Sequence, residues 1–133
     1  EVRVVESKKW IDDVTAAYKN SLTEDSPMAE QFKDPNFKNM FRNAPAVIFV
    51  AAEPSAYAGV DCGILAENMM LAAHAIRLHT CWVGQFDDEA VKEILDLPTH
   101  MRPAVILTVG VGMPPHASPE RMDAEEHAHY DIW

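Results

Sequence analysis

The chain has 133 residues, of which 48% are hydrophobic and 24% are charged, as is typical of one compact globular domain. Its 21 acidic and 11 basic residues give a net charge of −10, which disfavours nucleic acid and anionic lipid surfaces as partners. No apolar stretch reaches the ~20 residues that cross a bilayer. The two cysteines, Cys62 and Cys81, are too few for a disulfide framework, so we expect buried thiols in a reducing cytoplasm.

The first third of the chain predicts a strand, a helix and an irregular segment. Valines at positions 2, 4 and 5 favour a short strand. Ser7 can cap a helix that runs to about Leu22, because apolar residues recur along one helical face. Residues 23–42 are polar and contain two prolines, yet they also carry three phenylalanines. We therefore expect an irregular helical excursion held in place by aromatic side chains.

The middle of the chain contains the most apolar segments. The run Ala46–Ala52 has no polar residue and predicts a central strand covered on both faces. Residues Asp61–Leu78 predict a helix that is apolar on nearly every side. Such a helix needs covering surface, so we expect an obligate homodimer with this helix in the interface. Two of its few polar residues, Glu67 and His74, could form an acid/base pair or only a polar seam.

The last third predicts two more strands, one helix and a tail. Residues Thr80–Val83 favour a strand, Asp87 can cap a helix that ends by Pro98, and Pro103–Gly112 predict a second buried strand. Prolines and acidic residues over 113–133 predict an extended tail without a core of its own. The whole pattern predicts one domain over residues 1–133, built around a single sheet.

Motif spacing alone identifies no catalytic or metal site. His127 and His129 lie among acidic residues and could bind a metal, although a solvated tail explains them better. Cys81 could be a nucleophile, but its position inside an apolar strand favours a packed thiol.

Five segments stand in a recognisable order and spacing: NAPAVIFV at 43–50, DCGILAENMMLAAHA at 61–75, CWVGQFD at 81–87, PAVILTVG at 103–110 and HYDIW at 129–133. Together they resemble the FMN-dependent nitroreductase family. The resemblance implies an α+β fold, with a mixed sheet flanked by helices, in an intertwined homodimer whose C-terminal tail reaches the partner subunit. It also implies FMN as cofactor and hydride transfer from NAD(P)H through flavin N5 to nitro compounds, quinones or similar acceptors.

The same resemblance suggests residues for a cofactor site. The segment Trp82, Val83, Gly84 and Gln85 matches the family segment whose backbone approaches the flavin edge, and Gly84 leaves room for that approach. A turn that needs a small residue would also explain Gly84. Arg121 matches a basic position that contacts the FMN phosphate, although a solvated arginine in an acidic tail is the alternative.

The sequence also departs from the family pattern. The family's N-terminal arginines and serine for the phosphate have no counterpart, Pro119 replaces a second basic residue, and Arg77 and His79 stand where glycines usually close the interface helix. Residues 43–133 hold thirteen acidic and four basic residues, a net charge of −9. We therefore expect an N-terminally incomplete chain that binds FMN poorly until upstream arginines are restored. The alternative is a flavin-free nitroreductase-like binding or dimerisation module.

Overall fold

The computed structural model of the chain describes residues 1–113 and 120–128, without the side chains of Pro27 and His127. Strands and helices alternate along most of this sequence. No helix in these two ranges is long and apolar enough to cross a membrane. The elements are β1 (Val2–Val5), α1 (Lys8–Ser21), α2 (Pro27–Gln31), β2 (Ala46–Ala52), α3 (Ala58–Ala75), β3 (His79–Val83), α4 (Asp88–Ile94), β4 (Arg102–Gly110) and α5 (Ala124–His127).

The four strands form one sheet in the order β1-β2-β4-β3. All three pairings between these strands are antiparallel, with Ile48 opposite Leu107 in the centre of the sheet. The long strand β4 lies between β2 and β3, although it follows both of them in the sequence. The expected central position of Ala46–Ala52 is confirmed, and helices together with an antiparallel sheet confirm the α+β class.

The first face of the sheet is covered by α1, α4 and the segment that precedes β2. Large apolar side chains fill the space between them. Phe41 is fully buried and its ring lies 6.3 Å from that of Phe49, nearly perpendicular to it, an arrangement that aromatic pairs favour. The buried members of this core are Val5, Ile11, Val14, Tyr18, Met40, Phe41, Val47, Phe49, Val91, Leu95 and Ile106.

Among residues 1–113 and 120–128, only α3 covers the second face of the sheet. Only Cys62 and Ala66 of this helix are buried, and they pack against Val50, Val105 and Leu107. Most of the other apolar side chains of α3 point away from the sheet and are exposed within the chain. The sheet therefore has one face that the chain fills and one that it covers with a single helix.

The helix ends follow local chemistry. Ser7 precedes α1 as expected, but its side chain makes no capping hydrogen bond. Asp87 caps α4 as expected, because its Oδ1 accepts a hydrogen bond from Ala90 N at 2.9 Å. The helix α4 ends before Pro98, since Asp96 adopts a left-handed backbone with φ of 50°.

The apolar helix begins and ends earlier than the sequence pattern predicts. It spans Ala58–Ala75 rather than Asp61–Leu78. Arg77 has φ of 63° and turns the chain, which lets Leu78 N donate to Ala73 O at 2.9 Å. The expected cost of a non-glycine residue at this turn is thus present at Arg77. Likewise, β4 ends at Gly110 rather than at Gly112.

One prediction about the cysteines is wrong for the chain by itself. Cys62, on the side of α3 that packs on the sheet, is buried as expected, whereas Cys81 is exposed. The reason is the strand order, because β3 is the edge strand and its outer side has no neighbouring strand among the described residues. An apolar strand sequence does not by itself distinguish an edge strand from a central one.

Candidate functional site

A cleft of about 270 Å³ opens where β3 ends, beside α1 and the segment before β2. This volume is slightly below the ~300–1,000 Å³ of typical ligand pockets, so the cleft can hold part of such a ligand. Its walls are mainly apolar, with one positively charged side chain. The lining residues are Tyr18, Met28, Met40, Arg42, Cys81, Trp82, Val83, Gly84, Gln85 and Thr108.

The floor of the cleft is formed where the backbone leaves the sheet. The ladder between β3 and β4 ends with Val83 opposite Ile106, so Gly84 lies beyond the last strand pair. A Cβ atom at Gly84 would meet only the Trp82 ring, at 3.5 Å and 3.6 Å. The space over the Gly84 backbone is therefore open on the cleft side. A planar molecule could approach this backbone and hydrogen-bond to it.

Gln85 is held by a residue from a distant part of the sequence. Tyr18 is buried in α1, and its hydroxyl donates to Gln85 Oε1 over 3.5 Å, the long end of hydrogen-bond distances. The Tyr18 ring also lies 6.4 Å from that of Phe32. These contacts link the end of β3 to α1 and to the aromatic segment, and so fix two walls of the cleft relative to each other.

The aromatic excursion that we expected over residues 23–42 is confirmed. It contains the short helix α2, and the rings of Phe32 and Phe37 meet edge to face with centroids 4.9 Å apart. Met28 and Met40 extend from this segment into the cleft wall. Their flexible thioether side chains give the wall an adaptable apolar surface.

Arg42 is a cleft residue that the sequence analysis missed. Among residues 1–113 and 120–128 it is the only charged residue that lines the cleft, and its guanidinium carbon lies 5.1 Å from the centre of the Phe37 ring. Arg42 escaped notice because it belongs to the excursion, a segment without a recognisable motif. The available signal was the pair Asn39 and Asn43, whose side chains are suited to bracket a tight turn.

The predicted site residues are only partly brought together. Trp82, Val83, Gly84 and Gln85 all line the cleft. Arg121 is exposed just before α5 and is not one of the lining residues. Glu67 and His74 are exposed on α3, away from this cleft.

The candidate metal ligands of the tail are only partly described. Within residues 1–113 and 120–128, no three His, Cys, Asp or Glu side chains are grouped closely enough to hold a metal ion. His129 and the segment HYDIW lie outside the described residues, as does Pro119.

Comparison with known proteins identifies relatives in sequence. The family model described as Nitroreductase family matches residues 1–111. Two archaeal proteins, each named "Putative NADH dehydrogenase/NAD(P)H nitroreductase", are similar. The one from Archaeoglobus fulgidus is 33% identical in an alignment of 97 residues that covers 65% of this chain and 53% of the relative. The one from Methanothermobacter thermautotrophicus is 29% identical in an alignment of 80 residues that covers 53% of this chain and 42% of the relative.

Solved structures show the same fold. A nitroreductase with bound FMN from Desulfitobacterium hafniense superimposes with a TM-score of 0.75 and 21% identity, covering 99% of this chain and 75% of that chain. This likeness establishes the arrangement of helices and strands. The chain spans about half the length of the curated relatives it matches.

Proposed function

The chain belongs to the nitroreductase family, and from this membership we propose that it is an FMN-dependent oxidoreductase. It would use NAD(P)H to reduce nitro compounds, quinones or similar acceptors. When bound, FMN supplies the hydride chemistry through its N5 atom, so the protein's part is to bind and orient the ring. The observation that carries the proposal is the cleft at the end of β3, where the segment Trp82–Gln85 presents open backbone beside apolar side chains.

The residues of the cleft suit a flavin ring better than a flavin phosphate. Trp82 and Val83 offer an apolar surface, and the backbone of Gly84 and Gln85 lies past the strand ladder, free of pairing with β4. These groups would hold the ring and hydrogen-bond to its polar edge. For the phosphate we propose Arg121, whose guanidinium can bind two oxygen atoms.

We propose that the chain acts as a homodimer formed through α3. Val60, Ile64 and Leu71 on this helix are 60%, 59% and 59% exposed, an unusual amount of apolar surface for one helix. A second copy packed against α3 would cover these side chains. The tail over 113–133 would then reach the partner subunit.

We place the protein in the cytoplasm. Both cysteines are free thiols. Cys62 is a buried residue of α3, and Cys81 lies in the edge strand β3. Free thiols of this kind persist in a reducing compartment.

A flavin-free binding or dimerisation module is the second candidate function. Its support is the scarcity of positive charge, because Arg42 is the only basic residue among the described ones that line the cleft and residues 43–133 carry a net charge of −9. In this case the cleft would bind a neutral apolar molecule, and α3 would serve association only.

The substitution Gly84→Val tests the flavin proposal. The branched side chain would crowd the open space over the backbone, so FMN should bind at least about tenfold more weakly, while the fold is kept because Gly84 lies outside the core. Fluorescence quenching of FMN on titration measures the affinity, and circular dichroism checks the fold.

Gly84→Ala is the matched control for this experiment. Its single Cβ would make ordinary contacts of 3.5 Å and 3.6 Å with Trp82, so a much smaller loss is expected. Equal FMN affinity in the valine variant and the unmodified protein would show that Gly84 is a turn residue. Because this chain is expected to bind FMN poorly by itself, absence of FMN binding would favour the flavin-free module only if it persists after an upstream segment with two arginines is added.

A further inference from the structure

Arg42 is exposed and lines the cleft. It forms no ion pair within 4.0 Å with any residue that the structure describes. The Asp34 carboxylate lines the same neighbouring hollow and accepts a hydrogen bond from Asn36 N at 2.8 Å, but it is not within ion-pair distance of Arg42. The guanidinium is instead held against the Phe37 ring, a contact that orients it and leaves its N–H donors available.

The backbone at this position is unusual. Arg42 and Asn43 have φ of 56° and 61°, a left-handed conformation that asparagine tolerates and arginine adopts rarely. The turn is held by Asn39, whose Oδ1 accepts hydrogen bonds from Phe41 N at 3.0 Å and from Asn43 N at 3.1 Å. Strained backbone that the surroundings maintain is found most often at functional positions. Here the strain places a charged side chain beside an apolar cleft.

The charge of the rest of the protein makes this position distinctive. The chain has a net charge of −10, which repels anions in general, and Arg42 is the only charged residue lining the cleft within the part of the chain that the structure describes. A guanidinium matches the geometry of carboxylate and phosphate oxygens and can bind two of them at once. A ligand with a planar apolar body and an oxyanion would satisfy both parts of the cleft.

We infer that Arg42 is the oxyanion-binding residue of this cleft, an inference that rests on the proposed function. The oxyanion could belong to either of two molecules of the reaction. It is either the carboxylate of an anionic acceptor, in which case Arg121 keeps the flavin phosphate, or that phosphate, in which case Arg42 takes the role proposed for Arg121. Both have the same chemistry at the guanidinium, and two pairs of probes separate them.

The experiment measures binding by calorimetry to the whole chain without added cofactor. The first pair is 4-nitrobenzoate and its neutral amide, 4-nitrobenzamide. The second pair is FMN and riboflavin, which differ by the phosphate. A charge-assisted hydrogen bond predicts that the unmodified protein binds the anionic member of one pair about tenfold more tightly. Because the site is exposed, this preference should shrink as ionic strength rises.

Arg42→Gln should abolish the preference. Arg42→Asn is the second variant, because asparagine tolerates the left-handed backbone and keeps the turn while removing the charge. Arg102→Gln is the matched control. It removes the same charge from an exposed arginine at the start of β4, where Arg102 faces Glu89 at 3.5 Å, so the preference should remain.

The outcomes distinguish the inference from the function. Loss of preference in the nitrobenzoate pair assigns Arg42 to the acceptor, and loss in the flavin pair assigns it to the phosphate. The inference is overturned if the unmodified protein shows no preference in either pair, or if both Arg42 variants keep it. Failure of both flavins to bind, also after an upstream segment with two arginines is added, contradicts the proposed function, and the nitrobenzoate pair alone then decides the inference.

Discussion

The two faces of the sheet are built from similar residue types, but the chain covers them with packed side chains to different degrees. On the face of α1 and α4, Phe41, Leu95 and Ile106 are each fully buried. On the face of α3, the helix contributes two small residues, Cys62 and Ala66, and leaves most of its apolar side chains exposed. Hydrophobicity alone therefore does not say which surface a side chain covers.

The contrast shows that a single chain can have a stable fold and still leave apolar surface exposed. A core of large, closely packed side chains stabilises the fold on the first face. The second face contributes less to the fold of one chain, and its exposed helix is available for a second copy. Substitutions on the first face should then act on unfolding, whereas substitutions on the exposed side of α3 should act on association.

The largest effect is expected at the centre of the first face, which α1 and α4 cover. Phe41→Ala removes a fully buried ring that packs against Phe49, and it should lower the free energy of unfolding by about 3–5 kcal/mol. Urea denaturation followed by circular dichroism measures the loss. Phe37→Ala, in the partly buried part of the same segment, is the control and should cost clearly less. Equal losses in the free energy of unfolding would show that the fully buried Phe41 contributes no more to stability than the partly buried Phe37.

A charge on the exposed side of α3 should act on association alone. Ile64→Glu places a carboxylate in the proposed interface, where its desolvation should raise the dimer dissociation constant by roughly 30–100-fold. Sedimentation velocity measures the dissociation constant. Ala16→Glu, on the exposed face of α1, adds the same charge and should leave it unchanged. A folded monomer of the unmodified chain at micromolar concentration would contradict the proposed dimer.

A smaller effect is expected on the first face, where α4 begins. Asp87→Ala removes the acceptor of the Ala90 N–H and should lower the free energy of unfolding by about 1 kcal/mol. Asp87→Asn keeps an acceptor oxygen and should restore most of it. If both variants lose the same free energy of unfolding, the negative charge of Asp87 at the start of α4 contributes more to stability than its capping hydrogen bond.

The smallest effect is expected at the end of α3, and it is a gain. Arg77→Gly places the residue that favours φ of 63° at this turn, so the free energy of unfolding should rise by about 0.5–1 kcal/mol. Thermal denaturation measures the change. Arg77→Ala keeps the Cβ and should give no gain. A loss in the glycine variant would show that the Arg77 side chain contributes more than its backbone costs.

Much of the local structure could be predicted from the residues. The capping role of Asp87 and the buried stretch Ala46–Ala52 depend on neighbours within a few positions, and both are confirmed. The end of α3 could not be placed, because the left-handed turn at Arg77 uses a residue type that rarely adopts it.

The candidate site could be predicted only in part, since it is assembled from distant segments. Gly84 and Gln85 were found through family resemblance, and they line the cleft. Arg42 reaches the same cleft from a segment with no recognisable motif. Cys81 was expected to be buried because its strand is apolar, whereas the insertion of β4 leaves it at the sheet edge. Such non-local placements follow from topology.

The strand order also has a consequence for how the chain folds during synthesis. β4 is the last strand made among the described elements, yet it occupies the inside of the sheet between β2 and β3. Until residues 102–110 leave the ribosome, β3 lacks its partner among the described strands, and α3 lacks the Val105 and Leu107 side chains on which it packs. Pairing between strands that are distant in the sequence is slow, so the apolar side chains of α3 stay exposed to solvent in the meantime. Chaperone demand should therefore peak just before β4 emerges.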